Sequence, residues 1–292
     1  MLLSMTGFGE AHAQHDDLHV SVAVRAVNSR HFKLTYRSTD GYAGLEPDVE
    51  SLVRNAVRRG TVQVNLRVDR DAKPDDYRIN TAVLEAYFSQ LEEFSKGAGQ
   101  SVQVEQLLIL PGVLEEASRA DDDPHTDWPT IEPVVREAIS QLSRMRAKEG
   151  EALADDMLGH CELIETHLEK IAARAPLVAD DFRQRLADRV NKALEEFEVT
   201  VEAADLIREV SLFVDRSDIS EEVVRLRSHL EQFRTAVALP ESAGRKLEFI
   251  AQEMGREINT IGSKANDTAI SEHVVEIKSA LERIREQVQN VE

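Results

Sequence analysis

The stretch Gly244–Asp267, GRKLEFIAQEMGREINTIGSKAND, decides how the C-terminal part of this chain is built. Leu247, Ile250, Ala251, Met254, Ile258 and Ile261 recur mostly at intervals of three and four, which predicts a helix with one apolar side. The remaining sides hold Arg245, Glu248, Gln252, Glu253, Arg256, Glu257, Asn259 and Thr260. At about 100° per residue, Glu253 and Glu257 stand one turn apart on one flank, while Arg245, Gln252, Arg256 and Asn259 gather opposite the apolar stripe. One helix thus offers a carboxylate pair and, separately, an anion-binding row. It is expected to stop at Gly262, with Ser263, Lys264, Asn266 and Asp267 following.

Outward from this helix the same period continues. Ile270, Val274, Ile277, Leu281, Ile284, Val288 and Val291 alternate spacings of four and three, a seam suited to helix-to-helix association within a bundle or between subunits. On the other side, Asp218-Ile219-Ser220-Glu221 resembles a capping box opening a helix with Val223, Leu226, Leu230 and Phe233 inside. From Glu132 to Phe197 the apolar positions keep helical spacing, and Pro176 is expected to divide them into two helices of an αα-hairpin arm. Residues 111–133 are rich in proline and acid and read as a border. Before it, Leu18, Val20, Val22 and Val24 alternate with polar neighbours, as do Val62, Val64, Leu66 and Val68, so both runs read as strands. A helix with Pro47 in its first turn lies between them, running to about Arg58. The expected fold is α+β: a small N-terminal α/β domain with an antiparallel sheet over 1–125, a long helical-hairpin arm over 126–215, and a C-terminal helical bundle over 216–292.

The single cysteine, Cys161, cannot close an internal disulfide, and the start MLLSMTGFGE lacks a basic, apolar secretory leader. No run approaches the roughly twenty apolar residues a membrane span needs. A cytoplasmic, membrane-free protein is expected. The net charge of −19 argues against general attraction to polyanions. Residues 1–72 balance nine basic against nine acidic side chains, leaving 26 against 45 in the rest, so any polyanion site must be local or bridged by a cation.

The sequence has no GxxxxGK[ST], GxGxxG after a strand, HExxH or CxxC, so the common nucleotide, zinc and redox signatures are absent. Carboxylates and an imidazole remain. Glu222 and His229 fall on the same flank of one helix, two turns apart, and with Glu253 and Glu257 on the next helix they form an oxygen-rich set. Such a set suits Mn²⁺ or Mg²⁺ better than zinc, and either cation offsets charge on a phosphoryl group. Each residue also has a plainer reading: His229 as a packed edge histidine, Glu253 and Glu257 as a solvated pair, Arg245, Arg256 and Lys264 as surface charges. Asn28, Ser29 and Arg30 either close a turn or contact an RNA backbone.

Several strings carry a resemblance: SMTGFG (Ser4–Gly9), VNSRH (Val27–His31), LEPDVESLVRNAVRRGTVQV (Leu45–Val64), LPGV (Leu110–Val113), AKEGEALADDM (Ala147–Met157), DISEEVVRLRSHLEQF (Asp218–Phe233), the stretch quoted first, and the ending REQVQNVE. In this order and at these separations the chain resembles the bacterial YicC/YloC endoribonuclease family along essentially its whole length. The resemblance implies an endoribonuclease dependent on a divalent metal, Mn²⁺ in preference to Mg²⁺. It further implies cleavage of single-stranded or structured RNA, small regulatory RNAs included, by a homo-oligomer, a hexameric ring, with the chemistry in the C-terminal helices. Carried onto matching positions, it makes Glu222, His229, Glu253 and Glu257 candidate metal ligands. Glu253, Glu257, His229 and Arg256 become candidate catalytic residues, and Arg245, Lys264, Asn259 and Arg30 candidate RNA contacts. The competing expectation is a non-catalytic RNA-binding adaptor that presents RNA to another nuclease.

Overall fold

The computed structural model describes residues 2–29, 31–71, 77–98, 103–116, 123–194, 203–239 and 244–292. They divide into two compact units, Phe8–Ser143 and Met1–Gly7 with Arg144–Glu292. The division falls inside one helix, which contributes apolar residues to both cores.

The first unit is built on a four-stranded sheet of order β1-β2-β4-β3, from β1 (Gly7–His15), β2 (Leu18–Val27), β3 (Lys33–Ser38) and β4 (Thr61–Arg70). The alternation read in the sequence holds: Val20, Val22, Val24, Val62 and Val64 are all buried. Asp16, at φ 52°, turns the chain between β1 and β2. β2 pairs antiparallel with β4, Val22 facing Leu66, but β3 runs parallel to β4, with Leu34 opposite Val62. The sheet is therefore mixed rather than wholly antiparallel. The helix α1 (Glu46–Ala56) lies between β3 and β4 in the chain and so serves as the crossover a parallel pair requires. Its Val49 and Val53 are fully buried with the sheet, as are Ile131, Val135, Ala138 and Leu142. A small two-stranded sheet, β5 (Tyr77–Ile79) with β6 (Leu114–Glu116), and the helix α2 (Thr81–Ala98) complete this unit.

Helix α3 runs unbroken from Trp128 to Leu194, 67 residues. The expected break at Pro176 does not occur. A proline inside a helix removes one hydrogen bond and crowds the preceding turn. Here Pro176 is bordered by Ala172, Ala175 and Ala179 along a hollow of ≈ 460 Å³. The break expected at Pro176 is thus corrected to one continuous helix, and Phe197 lies outside the described residues. The next described helix, α4 (Ala203–Ser217), stacks Phe213 on Phe182 of α3 with ring centroids 3.8 Å apart.

The second unit is otherwise α5 (Ser220–Ala238), α6 (Gly244–Lys264) and α7 (Thr268–Val288), packed with α3 around one apolar core. Every residue of the stripe from Leu247 to Ile261 is at most 2% exposed, and the α7 seam from Ile270 to Val291 is buried throughout. Burial on this scale contributes about 1.5–3 kcal/mol for each large aliphatic side chain. Asp218 accepts from the Ser220 amide at 2.9 Å, while α5 itself starts without a side-chain cap, so the expected capping box is an Asx turn instead. α6 continues past Gly262 to Lys264, and Asn266 at φ 37° makes the turn into α7.

The N-terminal segment is clasped into this unit. Ser4 bridges to Val291, the Met5 amide donates to Asn290 at 2.8 Å, and the Glu292 amide donates to Leu3 at 2.8 Å. Arg146, 1% exposed, donates to the Ser4 carbonyl at 2.6 Å and bonds the Glu292 carboxylate. Thr6 donates to Glu149 at 3.0 Å. Gly150 is held where a Cβ would come within 2.2 Å of the Leu2 carbonyl oxygen. Among the described residues no helix is long and apolar enough to cross a membrane.

Candidate functional site

The candidate residues of the C-terminal unit fall on two adjoining strips of α6. The first lies where α6 meets α5. Glu222, near the start of α5, holds Lys264 at the end of α6, with Nζ 2.7 Å from Oε1. Further along, Arg225 Nη1 is 3.9 Å from Glu257 Oε1. These two bridges require the helices to run antiparallel, start of one against end of the other. Both carboxylates are buried, 6% exposed at Glu222 and 5% at Glu257, on the edge of a packed apolar seam.

Burying two charges without partners would be prohibitive, so a cation set against each is expected on physical grounds. Lys264 also donates to the Asp218 carbonyl at 3.3 Å. Its hydrogen bond to Glu222 holds the ammonium above its ordinary range, and the Ser220 hydrogen bonds hold the Asp218 carboxyl below its own. Lys264, expected to reach out to phosphate, is thus engaged with a carboxylate.

Two polar atoms on this strip lack partners. Glu222 Oε2 and His229 Nδ1 are buried with no hydrogen bond among the described residues. A carboxylate oxygen and an imidazole nitrogen left bare in this way are the donor chemistry a divalent cation takes. Glu253 is half-buried and makes no ion pair among the described residues. Of the four expected ligands, Glu222 and Glu257 meet cations across the α5–α6 contact, His229 follows Glu222 by two turns on α5, and Glu253 precedes Glu257 by one turn on α6. Among the described residues, however, no three His, Cys, Asp or Glu side chains are gathered closely enough to hold a metal ion together.

The second strip faces away from α5. Gln252, Gly255, Arg256, Asn259, Thr260 and Ser263 line an open groove of ≈ 620 Å³ together with Arg285 of α7. Of the row expected opposite the apolar stripe, Gln252, Arg256 and Asn259 share this groove and Arg245 is not among its lining residues; Arg256 makes no ion pair among the described residues. Arg245 is exposed near the start of α6 and is likewise without an ion pair among them. Arg30 lies outside the described residues.

Two functional candidates escaped the sequence reading. Arg225 follows Glu222 by one turn, a spacing that marks a shared flank. Arg285 opens the string REQVQNVE, and nothing in its own neighbourhood tells which helix it will cross.

A family model described as "Endoribonuclease YicC-like, N-terminal region" matches residues 2–155, and one described as "Endoribonuclease YicC-like, C-terminal" matches residues 171–292. This chain belongs to the YicC-like endoribonuclease family. It is similar along its whole length, and theirs, to two relatives named "Probable endoribonuclease YicC": one from Clostridioides difficile (strain 630), 33% identical over 295 residues, and one from Haemophilus influenzae, 27% identical over 294. The YicC-like C-terminal region takes in the whole of α5, α6 and α7, and with them both strips.

Proposed function

We propose that this chain is an endoribonuclease that cuts single-stranded or structured RNA, small regulatory RNAs among them, at the α5–α6 strip. It acts with a divalent cation, Mn²⁺ in preference to Mg²⁺, as a cytoplasmic homo-oligomer, a hexamer whose copies enclose the RNA. The observation that carries the reading is the pairing of two buried carboxylates, Glu222 and Glu257, on facing helices of a YicC-like chain. Structural helices have no need to bury such a pair, since apolar residues there would pack at lower cost.

Glu222 and Glu257, with His229 and Glu253, would hold the cation, and the bare Glu222 Oε2 and His229 Nδ1 fit that role. A divalent ion bound there supplies a Lewis acid that offsets charge developing on a phosphate. The protein's own side chains do the rest. Arg245, Arg256 and Asn259 donate to phosphate oxygens and fix the register of the strand. Lys264 and Arg225 neutralise these carboxylates within the chain and would be available as phosphate donors if a cation were held there instead. Assembly gathers copies of the α6 row around one opening and produces a local positive field on a chain of net charge −19. It would also supply further donors beyond those gathered among the described residues.

Among the described residues no three-donor group is gathered, and this favours a second reading, a non-catalytic RNA-binding adaptor. Labelled RNA incubated with the protein and Mn²⁺, then with chelator, separates the two. Cutting that needs the metal supports the endoribonuclease, binding without cutting supports the adaptor, and neither binding nor cutting overturns both. Products ending in a 5′-phosphate assign the attacking oxygen to water, whereas 2′,3′-cyclic ends assign it to the RNA 2′-hydroxyl.

A further inference from the structure

Gly255 lies on the side of α6 turned toward α7. A Cβ there would come within 2.1 Å of Arg285 Nη2 and 3.5 Å of Leu281 Cδ2. The missing side chain is the space in which the Arg285 guanidinium lies. Nη2 donates to the Ala251 carbonyl at 3.3 Å, and Nη1 lies 3.5 Å from Glu282. Nε is buried with no partner among the described residues. The side chain as a whole remains 38% exposed. This arginine is held along one edge by a backbone oxygen, is only loosely met by a surface carboxylate, and forms part of the wall of the groove.

The groove's other donors are Arg256, Gln252 and Asn259. Ser263 and Thr260 turn their hydroxyls back onto helix carbonyls, at 3.0 and 3.1 Å, and contribute little outward. Two guanidinium groups beside two amides, with no carboxylate among the lining residues, form a set of donors suited to a phosphate.

We propose that this α6–α7 groove, built on Arg285 seated over Gly255, is a phosphate-binding subsite that receives an RNA phosphodiester flanking the one cut at the α5–α6 strip. The inference rests on the endoribonuclease reading, which already gives Arg256 and Asn259 to phosphate, and adds Arg285 on its Gly255 seat and the separate phosphodiester that the three would hold. The flanking position follows from the helix itself. Gln252 and Asn259 point roughly 100–160° away from the Glu253–Glu257 flank, and a helix with its side chains is about 10 Å across. One phosphate cannot sit on both strips, but neighbouring phosphates of one strand can.

A short labelled single-stranded RNA, bound in chelator so that nothing is cut, tests the proposal by fluorescence anisotropy across a salt series. Arg285→Gln is expected to weaken binding about tenfold at low salt and to reduce the salt slope by about one. Gly255→Ala keeps the guanidinium but forces it off its seat, and is expected to weaken binding as well. Should these variants unfold, phenylglyoxal footprinting of the unsubstituted protein decides: RNA is expected to shield Arg285 from modification. Inorganic phosphate at matched phosphorus concentration should leave the RNA bound.

Wild-type affinity and slope in Arg285→Gln, equal modification of Arg285 with and without RNA, or displacement of RNA by that phosphate would each overturn the subsite. If the unsubstituted protein cuts RNA while any of these is observed, the endoribonuclease reading survives and only the subsite falls. If it neither binds nor cuts, the reading itself falls first.

Discussion

Lys264 Nζ lies 2.7 Å from Oε1 of Glu222, while the other oxygen of that carboxylate is buried and unbonded. One ammonium therefore ties the end of α6 to the start of α5 and half-satisfies a buried charge. Lys264→Met should lower the thermal midpoint by several degrees, because the buried carboxylate loses its partner. Adding Glu222→Gln should recover part of the loss, so that the double variant falls by less than the sum of the singles in thermal unfolding.

Asp267 caps α7, accepting from the Ile270 amide at 3.1 Å, and takes Arg174 at 2.8 Å. The Arg174 guanidinium, above all, holds its carboxyl below the ordinary 3.8. The unfolded chain then binds the proton more readily, so this contribution is fully present above about pH 3.8 and is lost as pH falls through the folded value. Asp267→Ala should cost about 1 kcal/mol or more at neutral pH. It should also flatten the acid limb of the stability curve, measured by urea unfolding at pH 7 and pH 3.

Gly150→Ala should unseat the N-terminal segment. The added Cβ would meet the Leu2 carbonyl oxygen at 2.2 Å and Leu3 Cα at 3.0 Å, both backbone and neither free to swing aside. A loss of at least about 2 kcal/mol in denaturant unfolding is expected. Hydrogen exchange should quicken at the Met5 and Glu292 amides, which bond across the clasp.

The helical stripes were legible because they are local. A run such as Leu247, Ile250, Met254, Ile258 states its own period, and all of it is buried. The strand alternation was legible for the same reason. What a side chain meets across the core is set by distant parts of the chain, so Lys264 against Glu222 and Arg285 over Gly255 left no local trace. Ser4 and Val291 meet across nearly the whole sequence, and the strings around them read as motifs without revealing that they form a clasp. Pro176 misled because the rule that proline ends a helix is a preference of about 3 kcal/mol, which packing along α3 outweighs. The parallel β3–β4 pair was missed because alternation fixes which face is buried, not which way a strand runs.

Cys161 is fully buried, and burial pushes its thiol from 9.0 up to about 11. At pH 8 the native protein should react with a maleimide at least about 100-fold more slowly than the unfolded chain, since only the thiolate attacks. Fast labelling of the native protein would mean that the α3 core opens readily.

The most direct test of the central claim is cleavage of labelled RNA by Glu253→Gln beside the unsubstituted protein, each with Mn²⁺ and with chelator. Glu253 makes no ion pair or side-chain hydrogen bond among the described residues, so this change removes the carboxylate charge while leaving those bonds in place. The account predicts cutting by the unsubstituted protein only with the metal, and a loss of about 100-fold or more in the variant with its melting curve unchanged. Cutting by the variant at the full rate, or cutting by the unsubstituted protein that chelator leaves untouched, would contradict it.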